Sequence, residues 1–161
     1  MIRRPVADFL AEFDDYNLRV AWIYRDPVAV FRSRGERWSY KAEAGPFITE
    51  WNRINKSVMD ANDPRVAVVC YDQLTADPRV FKALCQNLGV KGENLFHSGR
   101  SVEEVESSLS EDDVADIRER THQQLERLDA AAAAFLEANK VLDVAGEDEA
   151  APKSAQASTT G

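Results

Sequence analysis

The sequence predicts an α/β fold, a parallel sheet with flanking helices followed by one long C-terminal helix. Three observations predict it. Two short apolar runs, Val20 to Tyr24 and Val66 to Cys70, lack the polar alternation of a half-solvated strand and read as strands covered on both faces. Asp26-Pro27 follows the first run directly, and Asp77-Pro78 follows the second after a short gap. Asp before Pro is a helix start, because the Asp side chain accepts from orphan N–H groups and Pro has no N–H to leave unsatisfied. A segment of helical period lies between the two runs, and a crossover of that kind joins parallel neighbours.

The elements follow in order. Val6, Phe9, Leu10 and Phe13 fall on one side of an amphipathic helix over residues 4 to 14, which would pack on the sheet. The strand 20 to 24 leads into a helix over 27 to 34, with Gly35 as its stop. Glu36 to Gly45 reads as a loop, and Pro46 opens a helix whose Phe47, Trp51, Ile54 and Val58 make a core stripe. Asn62-Asp63-Pro64 is a turn before the strand 66 to 70. From Pro78, Val80, Phe81, Leu84, Cys85 and Leu88 form an apolar face that Gly89 closes. Residues 91 to 100 read as a loop. Ser101 with Glu104, and Ser110 with Asp113, have capping-box spacing for a short and a long helix. The long one, over 111 to 139, carries Val114, Ile117, Thr121, Leu125, Leu128, Ala132 and Phe135 in one stripe. Such a stripe packs on its own domain or forms a seam with a second chain. The remainder is acidic, then rich in Ala, Ser and Thr without periodicity. It reads as a disordered tail, so residues 1 to 142 form the domain and 143 to 161 the tail.

With 161 residues, 44% of them hydrophobic, the chain holds one modest core. Its net charge of −8 is unevenly placed: 15 Lys and Arg face 13 Asp and Glu in residues 1 to 100, and 5 face 15 in residues 101 to 161. Arg19, Arg25, Arg32, Arg34, Arg37 and Lys41 cluster in the first part. This favours a small anionic ligand. Overall negative charge and the absence of a recognised DNA or RNA module argue against nucleic acid. His97 and His122 stand apart with no metal-ligand spacing around them, so no metal is expected. The two cysteines, Cys70 and Cys85, read as buried reduced thiols. No signal peptide or run long enough to span a membrane is present, and the expected location is the cytoplasm.

Arg25 stands at the carboxyl end of the first strand, where open α/β sheets bind ligands. Ser33 lies seven residues beyond the cap Asp26, two helical turns and about 10 Å along the same face. A forked guanidinium folding back over that face could hold phosphate oxygens while the hydroxyl donates to another. Spacing alone leaves open a structural arginine paired with Asp26 and a serine near a helix end. Tyr71, likewise at a strand end, suits adenine but is also an ordinary half-buried tyrosine. Arg100, after Gly99, is a further candidate phosphate contact, and His97 a weak candidate base.

The segment Ile23 to Ser33 resembles the 3′-phosphate-binding motif of sulfotransferases that use 3′-phosphoadenosine 5′-phosphosulfate. Phe47 to Ala61 looks like that family's next helix, and Val66 to Pro78 like its strand ending in Tyr-Glu-Asp-Leu before Asp-Pro. The likeness covers residues 18 to 100, with a general likeness over 109 to 128. Asp72-Gln73 stands where the family carries Glu-Asp. The resemblance implies a partial P-loop-like sheet, a nucleotide co-substrate held by Arg25, Ser33, Tyr71 and Arg100, and sulfuryl transfer to a hydroxyl or amine acceptor. It also implies a Gly/Ser loop with a Lys for the 5′-phosphosulfate, together with a catalytic base. Met1 to Asn17 contains no Gly, Ser or Lys, and a phosphate cradle needs backbone N–H groups brought close by glycines. The expectation is a chain truncated relative to that family and incomplete for catalysis, with no catalytic residue assigned. The alternative is a non-catalytic nucleotide-binding or interaction module that associates, with itself or a partner, through the helix 111 to 139.

Overall fold

The computed structural model describes residues 5–38, 43–92 and 109–140. Its elements are α1 (Val6–Ala11), β1 (Val20–Tyr24), α2 (Pro27–Trp38), α3 (Ala44–Ala61), β2 (Val66–Cys70), α4 (Tyr71–Ala76), α5 (Pro78–Leu88) and α6 (Glu111–Ala138). The predicted residues 91 to 108, apart from the first two, and the predicted tail lie outside the described residues, as do His97 and Arg100.

The strands pair in parallel, from Val20 beside Val66 to Tyr24 beside Cys70. Alternate side chains therefore feed two cores. On one face Tyr24 and Val68 meet Leu10 of α1, Val28 and Phe31 of α2, Phe47, Ile48, Trp51 and Val58 of α3, and Ile117, Leu128 and Ala132 of α6. On the other, Ala67 and Val69 meet Leu74 of α4, Val80, Ala83 and Leu84 of α5, and Leu136 of α6. That second layer lies mainly under β2. It leaves Ile23 of β1 38% exposed, so the expectation of two fully covered strands holds for β2 and fails for β1.

Several boundaries differ from the sequence reading. The first helix is shorter, ending at Ala11. The guanidinium of Arg65, at the start of β2, donates to the Leu10 carbonyl at 3.2 Å and pairs with Asp14 at 2.9 Å, so groups that would continue the helix are used in a tertiary cap. α2 runs through Gly35 to Trp38. Glycine stops a helix when it turns left-handed, and among described glycines only Gly89 has positive φ, at 69°. The Arg34 ion pair with Glu50 at 2.8 Å also fastens the last turns of α2 to α3. α3 begins two residues before Pro46, which sits in the first turn where its missing N–H costs no hydrogen bond. Tyr71 is the first residue of α4 and not the end of the strand. Cys70 and Cys85 are free and only half-buried.

The long helix forms as predicted. Ser110 Oγ accepts from the Asp113 N–H at 3.1 Å, and the carboxylates of Glu111, Asp112 and Asp113 face the positive end of the helix dipole. Its stripe, with Ile117, Thr121, Leu128 and Ala132 buried, packs on its own domain against α3 and β2. No described helix is long and apolar enough to cross a membrane.

Candidate functional site

The carboxyl ends of β1 and β2 lie level because Tyr24 and Cys70 are register partners. The next residue of each chain segment, Arg25 and Tyr71, therefore emerges side by side. The Arg25 guanidinium carbon lies 5.0 Å from the centre of the Tyr71 ring, within range of a cation–π contact. Its Nε is 3.4 Å from Oδ1 of Asp72, the second residue of α4. Asp26 caps α2 as predicted, its Oδ1 accepting from the Ala29 N–H at 3.0 Å.

Arg25 and Tyr71 stand at the rim of a hollow of about 380 Å³, a size suited to a small molecule. Trp22, Ile23 and Tyr24 of β1 line it, with Val30 and Arg34 of α2 and Trp51, Ile54 and Asn55 of α3. Its polar floor is ordered: Trp22 Nε1 donates to Asn55 Oδ1 at 2.9 Å, and Asn55 Nδ2 donates to the Trp51 carbonyl at 2.9 Å. Asn55 is buried, so the first bond holds the Trp22 indole in place and the second satisfies the Asn55 amide within α3. The Tyr24 hydroxyl donates to Asp129 Oδ1 of α6 at 2.6 Å. Burial first, then that hydrogen bond, pushes the Tyr24 phenol well above its ordinary range, so it remains a neutral donor at any physiological pH.

The hollow thus combines two guanidinium groups with four aromatic side chains, Trp22, Tyr24, Trp51 and Tyr71. Arg34 is held by Glu50 and lies 5.4 Å over the Phe47 ring. Such a surface suits a ligand with an anionic group and a planar ring. Among the described residues, no cluster of His, Cys, Asp and Glu could hold a metal ion.

Of the predicted site residues, the fold brings Arg25 and Tyr71 together. Ser33 is half-buried on α2 and does not line the hollow, although its neighbours in the helix, Val30 and Arg34, do. Arg100 lies outside the described residues. Sequence reading missed Trp22, Trp51 and Asn55 as lining, since apolar periodicity marks them only as core or helix. The i, i+4 pairs Val30/Arg34 and Trp51/Asn55 were the available signal. No family model, curated protein or solved structure matches this chain.

Proposed function

We propose that the chain binds a nucleotide of the 3′-phosphoadenosine 5′-phosphosulfate type and belongs to the chemistry of sulfuryl transfer to a hydroxyl or amine. The observation that carries this reading is the Arg25 guanidinium lying over Tyr71 at the rim of an aromatic hollow, at the carboxyl ends of two parallel strands. In this reading Arg25 takes the 3′-phosphate, with Ser33 and Arg100 as further contacts, and Tyr71 faces the adenine. The two strands then belong to a P-loop-like sheet. Two free thiols favour a reducing compartment, the cytoplasm.

A second reading, a non-catalytic nucleotide-binding module, is favoured by one specific feature. The hollow has cations and rings for anchoring a nucleotide, and among the described residues its lining includes none of the Gly, Ser or Lys that a phosphosulfate cradle uses. Association through α6 has less support, because its apolar stripe is already covered by α3 and β2.

Calorimetry with adenosine 3′,5′-bisphosphate and adenosine 5′-monophosphate tests the nucleotide reading. Charge-assisted contacts to the 3′-phosphate contribute on the order of 1.5 to 3 kcal/mol each, so the bisphosphate should bind at least about tenfold tighter. Arg25→Ala should abolish that preference. Equal affinities in the unmodified protein would remove the reading.

A further inference from the structure

We infer that Asp72 is a built-in counter-anion of the site: its carboxylate lies against the Arg25 guanidinium, and an incoming phosphate or sulfate group must compete with it there. The inference rests on the reading of Arg25 as an anion contact. It adds a residue that sets how much negative charge the site accepts.

The juxtaposition follows from topology. β2 turns into α4 with no intervening loop, since Cys70 is extended and Tyr71 already helical. Because Tyr24 and Cys70 are in register, the first two residues of α4 are carried against Arg25. Tyr71 takes the guanidinium on its ring face at 5.0 Å, and Asp72 meets its Nε at 3.4 Å. A charge-assisted hydrogen bond would be about 2.7 to 2.9 Å, so the Asp72 contact is a loose ion pair.

Other arginines of this chain show what a locked pair looks like. Arg65 grips Asp63 through Nε and Nη2, at 2.9 and 2.7 Å, and Arg79 grips Asp77 through Nε and Nη2 at 3.0 and 2.7 Å. The Asp72 contact with Arg25 is longer than any of these, at 3.4 Å, and its side chain is 48% exposed where that of Arg25 is 23%. A half-solvated monovalent carboxylate holding an arginine at that distance is a weak partner. A phosphate brings more charge and matches the guanidinium fork, so it displaces the carboxylate. Asp72 then remains beside the bound anion and repels it. The residue therefore lowers affinity for every anion that uses Arg25, and most for the most highly charged.

The test is calorimetric titration of the full chain and of Asp72→Asn, Asp72→Glu, Arg25→Ala and the Asp72→Asn/Arg25→Ala double variant. The probes are inorganic pyrophosphate, which has no adenine, and adenosine 3′,5′-bisphosphate. Asp72→Asn keeps the shape and removes the charge, and it should tighten pyrophosphate by about threefold to tenfold. Asp72→Glu should stay near the unmodified affinity, and the gain should vanish in the Arg25→Ala background. Weaker or unchanged binding in Asp72→Asn, a gain that survives without Arg25, or no pyrophosphate binding by either the unmodified chain or Asp72→Asn would overturn the inference. Should pyrophosphate tighten through Arg25 while the bisphosphate binds no better than adenosine 5′-monophosphate, the counter-anion stands and the nucleotide reading falls.

Discussion

Tyr24 joins two things that a strand residue rarely joins, a wall of the hollow and a hydroxyl-to-carboxylate bond from β1 to α6. Its ring is 5% exposed, whereas Asp129 sits on the exposed face of the helix. Removing the hydroxyl therefore leaves Asp129 open to water and no buried acceptor unsatisfied. Tyr24→Phe should cost roughly 1 kcal/mol, the ordinary net value of such a bond, and not the larger penalty of an orphaned buried group. Urea unfolding measures it; a loss above about 3 kcal/mol would mean that the bond organises the whole helix contact. At this same scale Arg25 illustrates what sequence conceals. Its place at a strand end was legible from the apolar run and the Asp-Pro cap, but its partners Tyr71 and Asp72 lie 46 and 47 positions away in the chain and are chosen by strand register.

At the scale of elements, three aspartates fasten one segment to another or start a helix. Asp63 and Arg65 join the start of β2 to the end of α1, since Arg65 also reaches Leu10 and Asp14. Asp60 at the end of α3 holds Lys56 and Arg127 of α6. Asp77 caps α5 by accepting from the Arg79 N–H and also holds the Arg79 guanidinium. In each case the hydrogen bonds from the basic partner hold the carboxyl below its usual range. A folded-state value below the unfolded one means that the stabilisation is fully present above the unfolded value, about pH 4. It is lost as pH falls through the lower folded value. Thermal midpoints should thus be level from neutral pH to about pH 5 and fall below about pH 4. Asp63→Asn should start lower at neutral pH and fall less steeply in acid; an equally steep fall would show that this pair does not contribute. The caps and the α6 stripe were readable in sequence because they are local. The short α1, the helical Gly35 and the added α4 were not, because Arg65, Glu50 and the β2 register decide them from elsewhere in the chain.

For the molecule as a whole, the proposed reading gives the described residues an anchoring role, through Arg25 and Tyr71 at the hollow. Anchoring a nucleotide at its 3′ end gives affinity and orientation, but it does not stabilise charge developing on the bridging oxygen of a sulfuryl donor. Loss of a single donor to such an oxygen costs about a hundredfold or more in rate. The 161-residue chain should therefore show no transfer from sulfur-35-labelled donor to a panel of phenols, alcohols and amines, even where it binds the nucleotide. Turnover by the purified chain would overturn this and would assign the missing role to its own cations. The sequence by itself determined the α/β class, the two strands, the capped helices and the position of Arg25 beyond a strand, because apolar periodicity and capping act over a few residues. Only the tertiary structure decided that Trp22, Arg34, Trp51, Asn55 and Tyr71 line one hollow and that Asp72 lies beside Arg25. Strand pairing and helix packing set those distances, and no local pattern encodes them.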